Sequence, residues 1–215
     1  RRRHTRCLSD WSSDVCSSDL FHPEGLFSTQ IFGQPGTPGR FLHEAYVDLK
    51  VPIMHPLIYR TLVQTRAFYE EVIARRAFAR WDDELKDLVP SNVVDGRTGY
   101  AFFCEYLDRI ELKPNESDQR NERLALMEKY KEDRFTSRVL VIPAGYRELE
   151  VEPDGRETEH EINSFYKRLM KNASTVNAYA MDFSPESNDV QRFAMQQAFN
   201  ELYDLLESLL GDRKS

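Results

Sequence analysis

The chain has 215 residues, of which 40% are hydrophobic, 30% charged and 12% aromatic. This composition excludes a collagen, a disordered tail and a disulfide-stapled miniprotein, and no apolar run is long enough to span a membrane. The formal net charge of -7 argues against attraction to nucleic acid by bulk charge, because proteins held in that way are basic. Any contact with nucleic acid is therefore expected to be local, or shared with a partner chain.

Residues 1–20 show the hydrophobic period of neither a helix nor a strand. They contain two of the three cysteines and no apolar stretch of the kind found in secretory signals. The segment closely resembles translated sequencing-adapter read-through, and the alternative is a disordered tail, so we exclude it from the predicted fold. Because the first methionine is Met54, we expect the chain to be an internal piece of a longer reading frame, with residues 212–215 as a truncated end.

Residues 21–157 predict a base built from small strands and helices. Turn residues are dense at 35–39, and Pro52 is expected to limit the strand that precedes it. Ser117 is the predicted cap of a charged helix. Alternation and β-branched runs predict strands at 46–51, 138–143 and 149–151. Apolar stripes predict helices at 57–80, 100–109 and 118–133.

The clearest pattern lies in residues 158–211. One face of a first helix is predicted to be apolar, with Ile162, Phe165, Tyr166, Leu169 and Met170. Thr158 and Glu161 have the spacing of a capping box, in which a hydroxyl and a carboxylate each accept from a free backbone N–H. A second helix is expected to begin with Ser184 as its N-cap and Pro185 as its first residue, and Gly211 suits the position after its end. Its apolar residues step by four and three, as in a coiled-coil seam, at Met195, Phe199, Leu202, Leu206 and Leu209.

Two helices of this kind, joined by a polar break at about 173–188, predict an antiparallel hairpin with an exposed tip. Each arm of about 20 residues would be about 30 Å long. The alternative is a pair of helices inside an ordinary bundle.

The sequence contains no catalytic constellation that we recognise. It lacks a Gly-rich phosphate loop, a His-Glu-x-x-His motif and a cysteine pair at metal-ligand spacing. His55 precedes Pro56 and is expected to be a packed or capping histidine. Cys104 lies in an apolar stretch, is expected to be a small buried side chain, and fits a reducing compartment. The segment alone is not expected to catalyse a reaction, so no catalytic residue is assigned.

Five short segments, in chain order, resemble a known family. They are EGLFSTQIFG (24–33), YVDLKVPIMH (46–55), VLVIPAGYR (139–147), DGR followed by EINSFYKR (154–168) and MQQA (195–198). They resemble the motifs "DGLF…IFGP", "HIELAxPxxH", "LPVLPPDLRP", "DGGRF…DLNDLYRR" and "MLQEA" of the β′ subunit of multisubunit DNA-directed RNA polymerases. The second segment departs from its motif, since the family's His and Glu are Tyr46 and Asp48 here. The divergence and the shortened opening resemble the polymerase of a large bacteriophage more than a cellular enzyme.

The resemblance implies an α+β, mostly helical fold. It consists of a β′ clamp-like base (21–157) with small strands and a projecting antiparallel helical hairpin (158–211), the clamp coiled coil. In that family the clamp closes over downstream DNA and the RNA–DNA hybrid, and the coiled coil docks the promoter-specificity factor, sigma. The chain would then be a subunit fragment of a nucleotidyltransferase that acts in transcription.

The implied partners are a β-like polymerase subunit, a sigma-like initiation factor, DNA and the RNA–DNA hybrid. The implied location is the cytoplasm of an infected bacterium, or the virion. The alternative is a non-enzymatic phage interaction or structural protein that uses the hairpin as its docking element.

The resemblance also sets the expectations for metals. In the family, the aspartate loop that holds catalytic magnesium lies beyond the position of Ser215, so this fragment is expected to hold no cofactor itself. Cellular β′ inserts a four-cysteine zinc ribbon between the segments that end at Gly33 and begin at Tyr46. Here a short Pro/Gly turn without cysteine joins them, so we expect the zinc ribbon to be absent.

Seven hairpin residues are predicted to contact a partner or nucleic acid: Lys167, Arg168, Lys171, Asn172, Thr175, Arg192 and Gln197. The positions at which bacterial β′ presents arginines to sigma fall on Asn172 and Thr175, a family glutamate falls on Arg192, and Gln197 is retained. A changed charge at a docking face rejects the old partner as much as it selects a new one. We therefore expect a different initiation factor, encoded with this polymerase. For each basic residue taken alone, the alternative is that it lies on a solvated helix face without a partner contact.

Overall fold

The structure, a computed structural model, describes residues 6–8, 22–23, 25–151, 153–154 and 157–211. Over these ranges the fold is α+β, as predicted. The α-helices are α1 (Thr29–Phe32), α2 (Pro56–Thr65), α3 (Phe68–Ile73), α4 (Tyr100–Tyr106), α5 (Asp118–Lys129), α6 (Glu161–Ser174) and α7 (Asp189–Gly211). The strands are β1 (Arg6–Leu8), β2 (Ala45–Met54), β3 (Phe78–Asp82), β4 (Asp87–Ser91), β5 (Phe135–Val141), β6 (Glu150–Val151) and β7 (Glu157–Thr158).

The strands form small sheets rather than one large one. β2 lies between β1 and β5, while β3 pairs with β4 and β6 with β7, both antiparallel. β1 pairs with β2 in parallel, in the register that places Arg6 opposite Ala45. Arg6–Leu8 therefore belong to the fold, contrary to the expectation for residues 1–20. The rest of that segment, and the predicted end at 212–215, lie outside the described residues.

Pro52 does not end β2, which continues to Met54. The prediction assumed that the missing N–H would cost a ladder hydrogen bond. Pro52 is exposed and lies beyond the stretch Ala45–Val47 that pairs with β1, so no donor is needed on that side. Within the strand, Lys50 has a φ of 63°, and its N–H donates a 2.9 Å hydrogen bond to the Asp48 carboxylate.

The described residues form two compact units. The first contains those within Arg1–Pro52, Ser137–Val176 and Ala194–Ser215, and the second those within Ile53–Thr136 and Asn177–Phe193. The predicted base (21–157) and the predicted hairpin (158–211) each contribute residues to both units. In the first unit, α6 buries the predicted apolar face of Ile162, Phe165, Tyr166, Leu169 and Met170, together with Ala173. This face helps to build the core of that unit.

The second unit places α2, α3 and α4 around buried aromatic rings. Tyr69 and Phe103 are both fully buried, with ring centroids 5.2 Å apart. The single helix predicted over 57–80 is two helices here, because Arg66 adopts an extended backbone. Its guanidinium forms an ion pair with Asp87 and donates to the Leu88 carbonyl at 2.8 Å. These partners belong to the hairpin of β3 and β4, which the sequence analysis did not predict.

The helix caps differ in part from those predicted. Ser117 does cap α5, accepting from the Arg120 N–H, and His55 caps α2 by accepting from the Leu57 N–H. The cap of α6 is His160, whose Nδ1 accepts from the Ile162 N–H at 3.3 Å. Thr158 is not available for that role because it pairs with Glu150 between β7 and β6.

The start and end of the last helix also differ from the prediction. Ser184 and Pro185 begin a 3₁₀-helix, Pro185–Asn188, without a side-chain capping bond, and α7 starts at Asp189. Gly211 lies inside α7 rather than after it. Of the predicted seam residues, Met195 and Leu202 are buried while Leu209 is 46% exposed.

Candidate functional site

The predicted docking residues of α6 lie mostly on its solvent side. Ser164, Arg168, Lys171 and Thr175 recur every three or four positions, which places them on one face of the helix, and all four are exposed. The opposite face is buried in the first unit. This exposed strip is the surface that the sequence analysis expected a partner to meet.

Of the cations on and beside this strip, Arg168 and Lys167 are already paired. Arg168 donates two hydrogen bonds to Glu201 of α7, at 2.5 and 3.1 Å, and these bonds raise the pKa of its guanidinium above the ordinary value. Lys167, which is half-buried, forms a 2.5 Å ion pair with Glu159. Lys171 is exposed and forms no ion pair within the part of the chain that the structure describes. The strip therefore offers one uncommitted positive charge.

Asn172 and Thr175 complete the end of α6. The Asn172 amide donates to the Arg168 carbonyl at 2.7 Å, and the Thr175 hydroxyl donates to the Asn172 carbonyl at 2.9 Å. Both side chains are therefore engaged by carbonyls of their own helix end, and Lys171 is the basic residue of its last turn.

Arg192 does not share this surface. It is 4% exposed and lies in the second unit with its guanidinium carbon 4.2 Å from the centre of the Tyr100 ring. It also donates to the Cys104 sulfur at 3.9 Å. The prediction of Arg192 as an exposed contact is therefore corrected, because a cation over a buried aromatic face is committed to an internal interaction. Gln197, the last predicted residue, is half-buried on α7.

The cluster around Arg192 also holds Cys104 and Asp189. Cys104 is half-buried, and burial raises the pKa of its thiol to about 11. Asp189 accepts from the Ala101 N–H at 2.8 Å, so it caps the start of α4 from a distant part of the chain. Its second carboxylate oxygen is buried with no hydrogen-bond partner among the described residues, and burial raises the pKa of the carboxyl. The cluster is an internal support and not a reactive thiol site.

Two aromatic side chains that were not predicted to be exposed are the most exposed large hydrophobic side chains described in the second unit. Tyr179 and Phe183 are each 90% exposed. They lie in residues 177–188, which we call the aromatic loop and which connects α6 to α7. The sequence analysis treated this break as a polar tip. The signal available there was the presence of two aromatic residues in a segment with turn composition.

Several of the segments that carry the family resemblance meet at Arg147. This buried side chain, 1% exposed, donates to the carbonyl of Leu26 at 2.7 Å, to the carbonyl of Ile142 at 3.0 Å and to Asn163 Oδ1 at 3.0 Å. Burial lowers the pKa of its guanidinium to about 10. Its cation faces three aromatic rings at 4.9–5.7 Å, those of Phe27, Phe32 and Tyr166.

Arg40 holds the first of these segments as well. Its guanidinium forms a bidentate ion pair with Glu148, at 2.5 and 3.0 Å, and donates to the carbonyls of Phe27 and Gly33. Fork-shaped pairs of this kind fix orientation as well as adding energy. Residues 26–33 are therefore tied by side chains to residues 147–148.

The described part of the chain contains no group of three or more His, Cys, Asp or Glu side chains placed to hold a metal ion. Among the helices described, none has both the length and the apolar composition needed to cross a bilayer. No protein-family model and no curated protein matches this chain.

Proposed function

We propose that this chain is part of the clamp of the β′ subunit of a DNA-directed RNA polymerase, and that α6, the aromatic loop and α7 form a hairpin that docks an initiation factor. The observation that carries this proposal is the convergence on Arg147. Each of the sequence matches is short, and a set of unrelated matches has no reason to meet at one buried side chain. Leu26, Ile142 and Asn163 belong to three different matching segments, and all three accept hydrogen bonds from Arg147.

A second line of support comes from the relation between α6 and the residues after it. The amide of Asn188 bonds the backbone of Asn177, with one hydrogen bond to its carbonyl and one from its N–H. Further from the loop, Arg168 pairs with Glu201. The Arg168–Glu201 pair joins α6 to α7 within the first unit, and the proposed clamp coiled coil requires contact between these two helices.

In this proposal the fragment supports transcription through docking and clamp closure, and it supplies no catalytic group. Nucleotidyl transfer and its magnesium would reside in the aspartate loop expected further along the complete subunit. The exposed strip of α6 contributes little to phosphate binding, because Arg168 of the strip and Lys167 beside it are already paired with carboxylates. Contact with a protein factor suits that strip better than contact with a nucleic-acid backbone, which requires several free cations.

The proposal is tested by purifying the tagged full-length protein from the infected cells in which it is made. We expect a β-like subunit in equal amount, and magnesium-dependent extension of an RNA primer annealed to a DNA scaffold. A self-contained monomer without primer extension would contradict the proposal and favour the non-enzymatic interaction protein.

A separate substitution tests the docking role of α6. Lys171→Glu reverses the uncommitted charge of the exposed strip and is expected to reduce promoter-directed initiation while leaving primer extension unchanged. Lys113→Glu is the matched control, because Lys113 is also exposed but lies in the second unit. Equal effects of the two variants on initiation would reject docking through α6.

A further inference from the structure

A pocket of about 150 Å³ lies within the second unit, between α2, α5 and the residues that follow α4. Its walls are mainly apolar and include Leu62 of α2 and Leu107 just after α4, both of which are buried. Four charged side chains also line it, those of Asp108, Glu128, Lys131 and Arg134. Apolar walls with a small number of polar groups are typical of sites that bind small molecules.

The pocket is present because α5 covers α2 only loosely. The two helices are in contact, yet no residue of α5 is buried. Leu124 and Met127 of α5 are half-buried, and both line the pocket. Apolar side chains that remain partly in contact with water gain free energy when a ligand covers them. The walls contributed by α5 therefore favour an occupant with an apolar body.

The volume of the pocket limits the size of that body. An apolar cavity of about 150 Å³ accommodates one molecule of the size of benzene. The apolar part of the ligand is therefore expected to contain about six carbon atoms. A nucleotide or a peptide segment is too large to be enclosed in this space.

The exposure of the four charged side chains indicates the charge of the ligand. Arg134 is 19% exposed and its ion-pair partner Asp108 is 59% exposed, while Lys131 is 47% exposed and its partner Glu128 is 78% exposed. In both pairs the carboxylate is the more exposed member. Water screens exposed charges strongly, so the less exposed cations attract a ligand charge more effectively. The ion pair of Arg134 joins its Nη2 to Asp108 Oδ1, and a guanidinium has five N–H donors, so one carboxylate does not saturate it.

We propose that this pocket binds a small organic monocarboxylate. The apolar body of the ligand packs against Leu62, Leu124 and Met127, and its carboxylate accepts hydrogen bonds from Arg134 and Lys131. Hydrogen bonds between charged groups are about twice as strong as those between neutral groups, so the two cations select an acid over a neutral compound of the same shape. The site goes beyond the proposed function, because binding requires neither a polymerase subunit nor nucleic acid.

The test titrates benzoate into the full-length chain with its methionine methyl groups labelled with ¹³C. The Met127 signal is identified by its loss in Met127→Leu, and the other methionines serve as internal references. We expect a saturable shift of the Met127 signal with a Kd below about 1 mM. Benzyl alcohol, which has the same ring without a charge, and benzylamine, which has the opposite charge, should each bind at least about fivefold more weakly. No saturable shift at Met127, or binding of either analogue as tight as that of benzoate, would overturn the inference.

Two pairs of variants separate the charge of the site from its shape. Arg134→Gln is expected to weaken benzoate binding about tenfold and to leave benzyl alcohol binding unchanged, whereas Arg123→Gln, at a half-buried position of α5 outside the pocket, should change neither. Leu124→Trp fills the pocket and should abolish binding, while Leu126→Trp, also half-buried on α5 but outside the pocket, should retain it. Benzoate binding that survives Leu124→Trp, or equal losses for benzoate and benzyl alcohol in Arg134→Gln, would overturn the inference. None of these measurements involves transcription, so their failure leaves the proposed function intact.

Discussion

Replacing Arg147 with methionine tests how strongly the first unit depends on one buried cation. Methionine has a similar length and no charge, so it fills most of the same space without donating hydrogen bonds. The carbonyls of Leu26 and Ile142 and the amide oxygen of Asn163 would then lose their donor. Each of these three oxygens accepts a hydrogen bond from a charged donor, and such a bond contributes about 1.5–3 kcal/mol to stability.

The opposing contribution is the cost of burying the charge. Burial lowers the pKa of Arg147 from 12.5 to about 10, which at 1.36 kcal/mol per unit corresponds to about 3 kcal/mol against the buried cation. Methionine recovers that cost. Three lost hydrogen bonds of about 7 kcal/mol in total, less about 3 kcal/mol recovered, leave a net destabilisation of about 4 kcal/mol.

Urea unfolding followed by circular dichroism measures this change, and a thermal melt should show the midpoint lowered by about 8–16 °C. Arg147→Lys provides the discriminating comparison, because lysine keeps the buried charge but cannot reach all three acceptors. We expect it to destabilise at least as much as methionine. Arg80→Met, at an exposed position, should stay within about 0.5 kcal/mol. Full stability in the lysine variant, or a methionine effect below about 1 kcal/mol, would refute the reasoning.

Three further predictions concern other parts of the chain. Gly99→Ala should destabilise the protein by about 3 kcal/mol, because the new Cβ would lie 2.0 Å from an Asp189 carboxylate oxygen at a φ of +111°. Gly36→Ala is the control: its Cβ would meet no atom within 4 Å at a φ of +77°, so it should cost only about 1–2 kcal/mol in urea unfolding. Equal costs for the two variants would contradict the contact with Asp189. Because the pKa of Cys104 is raised to about 11, iodoacetamide at pH 8 should modify it about a hundredfold more slowly in the folded chain than in urea. The two cysteines of the first 20 residues are replaced by serine for this assay, and comparable rates would show that the thiol is not protected. Elemental analysis should find no stoichiometric zinc; one zinc per chain would overturn the interpretation of residues 33–46.

The elements that the sequence predicted well are those set by local pattern. Ser117 caps α5 because its own side chain reaches the Arg120 N–H three residues on. The apolar face of α6 is buried as its period predicts. The β-branched residues Val139 and Val141 are buried in β5. In each case the deciding interactions lie within a few residues of one another.

The elements that were missed depend on partners distant in sequence. Arg66 breaks the predicted helix because Asp87 and Leu88, about twenty residues away, take its guanidinium. Thr158 forms no cap because Glu150 pairs with it in a strand. Periodicity within a window contains no information on such partners.

The predicted docking residues show the same division. Arg168 and Lys171, two of the predicted contact residues, are exposed on α6. The burial of Arg192 depends on Tyr100, which is distant in sequence. The exposure of Tyr179 and Phe183 was missed because aromatic residues are usually counted toward a core, and only the three-dimensional fold shows that these two are left out of it.

The closure of the aromatic loop by Asn188 separates the residues that fix the conformation of the loop from the side chains that the loop exposes. The residues that hold the loop shut are buried or bonded to the backbone, whereas positions 179 and 183 face solvent. Substitutions at those two positions change the presented side chains without disturbing the closure. The side chains that this loop exposes can therefore change by point substitution with little loss of folding free energy, much as antibody loops diversify on a constant framework.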